Sequence, residues 1–309
     1  MVPRHSAQYL DRMSDEGRRG AVERVRVLTH EGGEFVERID VVAGEEPLEI
    51  RLLLGGEART VAITMRTPGS DFELATGFFF GEGVILKGAE VSGISYCVDR
   101  SIGEEQRYNI VNVKLAPGVW PDLRPLERHF FTSSACGVCG KAALEALAIR
   151  RQPLVDRVTL HPATLLELPE RLRNAQGVFD ATGGLHAAAL FETSGDLIAI
   201  REDVGRHNAL DKLIGWALLE DRVPLSRSVL LVSGRASYEL LQKAVVAGIP
   251  VVCAVSAPSS LAVAVAEGFG LTLVGFLRGD RFNVYAGKDR LIPIAADPDR
   301  AKAGPAARR

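Results

Sequence analysis

The sequence predicts an α/β protein in two parts: a smaller α+β unit over residues 31–125, then a three-layer α/β unit with a largely parallel sheet over 126–295. Two observations carry this. Residues 228–232, 250–255 and 271–277 are almost wholly apolar runs of strand length, the pattern of strands buried on both faces. Each of the first two is followed by a Ser/Gly/Pro turn and a helix-length segment, at 237–247 and 260–268, so strands and helices alternate as in crossover-connected parallel sheets.

The elements follow in order. Residues 1–30 are rich in charge and poor in apolar periodicity, which predicts a mobile leader. Residues 48–54 and 60–66 read as strands joined at Gly55-Gly56. A helix is expected over 68–81, with Ser70 as cap, Glu73 three positions on, and Phe72, Leu74, Ala75, Phe78 and Phe79 on its apolar face. Residues 94–98 and 108–115 read as further strands, and 141–150 as a helix. A hairpin is expected from 185–192 and 197–202 around Ser194-Gly195-Asp196, then a helix over 208–220. A strand at 281–285 closes the series. Residues 296–309 end an Ala-, Pro- and Arg-rich tail that begins at 293. In such sheets ligands sit at the carboxyl ends of the strands, where Ser233-Gly234-Arg235, 256–259 and 278–281 are expected.

Composition narrows the function classes. The chain has 309 residues, 47% hydrophobic and 25% charged, with a net charge of −2, so a phosphate-driven DNA- or RNA-binding role loses weight. No stretch reads as a transmembrane helix; the most apolar one, 248–276, is interrupted by Pro250, Pro258, three serines and Glu267. The N-terminus carries Arg4, His5, Asp11 and Arg12 in place of a signal core, which places the protein in the cytoplasm. Four cysteines, Cys97, Cys136, Cys139 and Cys253, are too few for a disulfide framework at this length; a close pair points to catalysis, redox chemistry or metal.

That pair lies in Thr132-Ser133-Ser134-Ala135-Cys136-Gly137-Val138-Cys139-Gly140-Lys141, with a helix expected just after it. A thiol at a helix N-terminus feels unpaired N–H groups and the positive dipole end, and Lys141 adds charge; both favour the nucleophilic thiolate. Structural zinc would require two further ligands, and Cys97 and Cys253 are single residues in strand-like segments, read as small buried hydrophobes. A thioredoxin-like redox pair stays open. A zinc deaminase needs His-x-Glu followed later by Pro-Cys-x-x-Cys; here His186-Ala187-Ala188 lacks the glutamate, the CxxC precedes the histidine, and Ala135 stands in place of proline.

The segment 133–141 resembles the cysteine loop of formate dehydrogenase accessory sulfurtransferases, the FdhD/NarQ family. The resemblance extends to Arg66-Thr67-Pro68-Gly69 with Glu73-Leu74-Ala75-Thr76-Gly77-Phe78 and Glu82-Gly83, to Thr182-Gly183-Gly184-Leu185-His186, and to 201–212 (Arg-Glu-Asp-Val-Gly-Arg-His-Asn-Ala-Leu-Asp-Lys). Ser233-Gly234-Arg235, Ser256-Ala257-Pro258-Ser259 and the run 276–281 complete it, in family order from about 47 to 287. The resemblance implies a cytidine-deaminase-like C-terminal domain without zinc chemistry, and a homodimer. It implies transfer of persulfide sulfur from a cysteine desulfurase to the molybdenum, or tungsten, of a bis(molybdopterin guanine dinucleotide) cofactor bound for formate dehydrogenase. Cys136 is then the persulfide carrier with Cys139 beside it, and Phe276, Leu277, Arg278, Gly279, Asp280 and Arg281 contact the cofactor; no intrinsic metal is expected.

The residues themselves suit that chemistry. Arg235, Arg278 and Arg281 can meet pyrophosphate, and Gly234 and Gly279 permit close backbone approach. Ordinary surface solvation, or salt bridges to Asp280 and Glu239, would explain the arginines equally well. His186, His207 and Asn208 either bind guanine or sugar or hold their loop, Asn208 as a helix cap. Two function classes follow: a sulfurtransferase, and a cofactor-binding chaperone that carries no sulfur.

Overall fold

The computed structural model describes residues 20–123, 147, 153–154 and 158–292. The first element is a hairpin. Strands β1 (Val22–Glu31) and β2 (Glu34–Ala43) pair antiparallel around Gly32-Gly33, both at positive φ (64° and 91°). Residues 22–31 are therefore strand rather than leader. The signal was present: two glycines at positive φ make the tight turn whose twist matches flanking strands, and Val25, Val27, Phe35, Val36 and Ile39 are strand formers.

The second sheet has the order β4-β3-β6-β5, from β3 (Glu46–Leu54), β4 (Glu57–Arg66), β5 (Val91–Tyr96) and β6 (Ile110–Leu115). The turn at Gly55-Gly56 stands as expected, and β4 starts three residues earlier than its apolar pattern does. Helix α1 (Asp71–Gly81) follows β4, and a single turn, α2 (Glu104–Arg107), precedes β6. Ser70 precedes α1, but at φ 54° its hydroxyl makes no cap.

The third sheet has the order β12-β11-β10-β9-β7-β8. Its strands are β7 (His186–Glu192), β8 (Leu197–Asp203), β9 (Ser228–Val232), β10 (Val251–Ala254), β11 (Thr272–Arg278) and β12 (Arg281–Ala286). Only β9, β10 and β11 pair in parallel; the other three pairings are antiparallel, so the sheet is mixed rather than largely parallel. The reason is connection length: β7–β8 and β11–β12 are joined by tight turns, which can only reverse the chain, whereas helices carry the crossovers.

Those crossover helices are α5 (Arg206–Leu219), α6 (Tyr238–Ala247) and α7 (Ser260–Phe269). Each successive crossover steps the same way across the sheet, from β8 to β9 to β10 to β11. With one hand of connection, all three helices lie on the same face. Strand alternation shows it: Ala188, Leu190, Leu230, Val232, Val252, Ala254 and Leu273 belong to the core under these helices. Their neighbours Ala187, Ala189, Phe191, Val229, Leu231, Val251, Cys253 and Val274 point to a second core on the other face.

That second face is covered by α3 (Pro162–Ala175) through Leu165, Leu168 and Leu172, ahead of a short helix, α4 (Gly177–Thr182). Local pattern does not predict this helix, because Pro169 inside α3 obscures a leucine spacing that is otherwise helical. The expected helix over 141–150 lies outside the described residues apart from Leu147, which is helical and buried.

The two larger sheets share one core, joined where α1 crosses α5. Gly77 and Gly215 make this crossing: a Cβ on Gly215 would lie 1.8 Å from the Glu73 carbonyl oxygen, and one on Gly77 1.9 Å from that of Asp211. Neither atom belongs to a flexible side chain, so a methyl group must push the helices apart. Gly215→Ala is expected to cost about 3 kcal/mol or more through overpacking, read as a lowered urea midpoint. An unchanged midpoint would show that the helices separate freely.

Candidate functional site

The carboxyl ends of β8, β9, β10 and β11 share one edge of the six-stranded sheet, and antiparallel β7 brings its first residue, His186, to the same edge. The N-termini of α5, α6 and α7 open there as well. Loop-to-loop hydrogen bonds prolong the sheet: Ser256 N donates to the Gly234 carbonyl (3.4 Å), Ala236 N to that of Ala257 (3.2 Å), and Phe276 N to that of Ser256 (3.1 Å). The three expected loops therefore form one contiguous rim.

At the β11–β12 end, Leu277 is fully buried, while Arg278, Gly279, Asp280 and Arg281 are exposed. Phe276 sits at φ 53°, within a register shift between Gly275 and Arg278, and Arg278 lies over its ring at 5.7 Å. A bulky residue at positive φ is uncommon, and here the bulge turns the ring out of the strand's alternation. Among the described residues none of Arg235, Arg278 and Arg281 forms an ion pair: Asp280 pairs with none of them, and Glu239 faces His207 instead. Among the described residues, then, the rim presents three cations with no ion partner.

At the β7–β8 end, the polar residues of 203–212 divide by their partners. Asp203, fully buried, is salt-bridged to Lys212 at 2.7 Å and accepts from the backbone of Thr67 (3.1 Å) and Gly205 (2.8 Å). Lys212 also donates to the Thr67 carbonyl at 2.8 Å. Asn208 is not a cap, since α5 begins at Arg206; its amide donates to Asp203 (3.1 Å) and to the Met65 carbonyl (2.7 Å). Asp211 pairs with Lys243 at 2.7 Å, and Arg201 with Glu73 at 2.5 Å. These residues lock the second half of the chain to the strand β4–helix α1 corner. In that corner the buried Arg66 grips Asp71 through two bonds (3.0 and 3.1 Å), and Tyr96 donates its hydroxyl to the same carboxylate. Charges this deeply buried persist only when paired.

What remains facing the rim is His186, Arg206 and His207. His207 approaches Ser237 (3.3 Å) and Glu239 (3.7 Å), and the nearby imidazole holds the Glu239 carboxyl far below the usual range, at about 2. Burial, and then the charges of Arg206 and His207, push the His186 imidazole below its ordinary value.

Cys136 and Cys139 lie outside the described residues. The other two cysteines are the small buried hydrophobes that were expected: Cys97 is 4% exposed, and Cys253 is fully enclosed, its thiol pushed up to about 12 by burial. Among the described residues no group of three or more His, Cys, Asp and Glu is placed to hold a metal ion, and no helix is long and apolar enough to cross a membrane.

Comparison with known proteins agrees with this architecture. Residues 43–292 match the FdhD/NarQ family. A protein named sulfur carrier protein FdhD from Streptomyces coelicolor is 56% identical over 278 residues, covering 89% of this chain and 97% of its own. One of the same name from Sulfurisphaera tokodaii is 46% identical over 271 residues, covering 88% of this chain and 99% of its own. A crystal structure assigned to a formate dehydrogenase accessory protein of Desulfotalea psychrophila superposes with a TM-score of 0.68 at 26% identity, covering 88% of this chain and all of that one. With a family match over most of its length and relatives this similar end to end, the chain belongs to the FdhD/NarQ family.

Proposed function

We propose that the protein is a sulfur carrier serving formate dehydrogenase. It takes sulfane sulfur from a cysteine desulfurase onto Cys136 and passes it to the molybdenum, or tungsten, of a bis(molybdopterin guanine dinucleotide) cofactor. The names of the relatives support the carrier role. One observation carries its assignment within this chain: two of the four thiols are sealed in the core. The Cys253 thiol, pushed up to about 12, is almost entirely protonated at neutral pH, and neither buried sulfur is placed to meet a donor held in another protein. These two burials support the reading that loading takes place on the CxxC pair.

The chemistry balances as follows. The Cys136 thiolate attacks the terminal sulfur of the donor's persulfide; that S–S bond breaks, the donor cysteine leaves as thiolate, and Cys136 becomes the persulfide. Delivery as sulfide needs two electrons. Cys139 supplies them by attacking the Cys136 sulfur, which expels hydrosulfide and leaves a Cys136–Cys139 disulfide for a cellular dithiol to reduce. The cofactor is substrate here, with its pyrophosphates met by Arg235, Arg278 and Arg281 along the rim that Phe276, Leu277, Gly279 and Asp280 shape. We read the helix–sheet–helix layering of the six-stranded sheet as cytidine-deaminase-like, the working unit as a homodimer, and the compartment as the cytoplasm.

Intact-mass analysis tests the carrier step. After incubation with a cysteine desulfurase and cysteine, the wild type is expected to gain one sulfur atom that reductant removes, and Cys136→Ala none. Loading of that variant at Cys139 would reverse the two cysteine roles, and loading of neither protein would end the carrier reading.

A further inference from the structure

The hairpin of β1 and β2 is a surface that the sulfur chemistry does not use. Each strand has 10 residues, and none in either strand is buried. Alternation and register put Leu28, Phe35 and Ile39 on one face: Phe35 stands opposite His30, Glu37 opposite Leu28, and Ile39 opposite Arg26. The three apolar side chains are 65%, 71% and 70% exposed. A two-stranded sheet that leaves its apolar side chains in water is marginally stable, and a bare patch of this kind marks a contact surface.

Position, size and charge narrow what meets this face. Apart from its last residue, Ala43, the hairpin lies ahead of the family match, whereas Cys136 and the rim lie inside it. Its base abuts the rim: β2 packs on α4, and a Cβ on Gly184, just ahead of Leu185 and His186, would stand 3.8 Å from that of Ala43. From this base the strands reach about 30 Å, at roughly 3.3 Å per residue. The face is too small for a lasting pairing with a second copy. It measures about 30 Å by 10 Å, so two stacked faces bury roughly 600 Å², well under the ~1,200 Å² of a stable interface. It suits a contact that forms and breaks. Arg24 and Arg26 flank the apolar residues on the same face, where Glu37 is the single acid. Among the described residues neither arginine has an ion partner, since the hairpin's salt bridge, Arg38–Glu31, lies on the opposite face.

We propose that this face of the hairpin docks the acceptor dehydrogenase, meeting an apolar patch edged by acidic side chains. The inference rests on the carrier reading above and adds the surface by which the acceptor is held. The acceptor must come to the rim to collect the cofactor, whereas the sulfur donor needs only the Cys136 thiol. An arm rooted beside the rim therefore serves the acceptor. An apolar centre with a basic edge gives a short-lived complex whose rate of formation falls as salt screens the charges.

Biolayer interferometry with the full-length protein and the organism's own formate dehydrogenase, purified from cells that lack this protein, tests this. Leu28→Ser with Phe35→Ser and Ile39→Ser should weaken binding about tenfold, and Arg24→Glu with Arg26→Glu about fivefold. Glu23→Lys with Glu34→Lys, on the opposite face, should leave the affinity within about twofold. All of these positions are exposed, and circular dichroism and thermal melts check folding. The charge-reversed pair keeps the apolar side chains, so it carries the test where the serine variant loses the hairpin. Wild-type affinity in both variants, or no binding of the wild type, would overturn the inference. A fall in mass by light scattering would show that the face joins two copies, and lost sulfur loading that it meets the donor; either would overturn it as well. Sulfur loading of the wild type on Cys136 is read separately, so a failure of the carrier reading shows there.

Discussion

Cells that carry only the Cys136→Ser variant are expected to make formate dehydrogenase with metal and pterin in place but with no sulfido ligand and essentially no activity. Serine is close to cysteine in size and shape, so folding and cofactor binding should persist. Its hydroxyl is a far poorer nucleophile and cannot hold a persulfide at neutral pH. The measurements are metal and pterin content, cyanide-labile sulfur and formate oxidation of the purified dehydrogenase. Full activity would replace the carrier by a chaperone that binds the cofactor without carrying sulfur. A rim variant such as Arg281→Ala should behave in the opposite way, loading sulfur normally and failing at delivery; a failure to load would mean that the rim and the thiol act as one unit.

Asp203→Ala should lose about 3–5 kcal/mol of stability, the usual consequence of leaving one member of a buried ion pair uncompensated. Here the stranded group is Lys212, whose side chain is 3% exposed and 2.7 Å from the lost carboxylate. The same change deprives Thr67 N, Gly205 N and the Asn208 amide of their acceptor. Denaturant unfolding measures it. A loss under 1 kcal/mol would show that water reaches Lys212 and that the network is not a lock. Asp203→Asn is the useful companion, since it keeps the shape and one acceptor oxygen while removing the charge.

The regular part of the fold was legible because its cause is local. Strands β9, β10 and β11 are buried on both faces, which demands apolar runs, and the Ser and Gly turns after them mark where helices begin. The first hairpin escaped because its strands bury little: Leu28, Phe35 and Ile39 are 65–71% exposed, and charge dominates their composition. Helix α3 escaped through Pro169, and the mixed order of the sheet through pairings that local periodicity does not encode.

The division is clearest along 201–212. By itself the sequence determined the parallel heart of the large sheet, the loops at its carboxyl edge, and a CxxC flanked by small residues and lysine, because apolar period, turn chemistry and thiol reactivity act over a few neighbouring residues. Only the tertiary structure decided that Asp203, Asn208 and Lys212 are locks while His186, Arg206 and His207 face the rim. The partners of the locks, Met65 and Thr67, lie well over a hundred positions away in the chain. Polar residues in one short run look alike until folding sets which of them lose water to a distant backbone and which keep a free side toward a ligand.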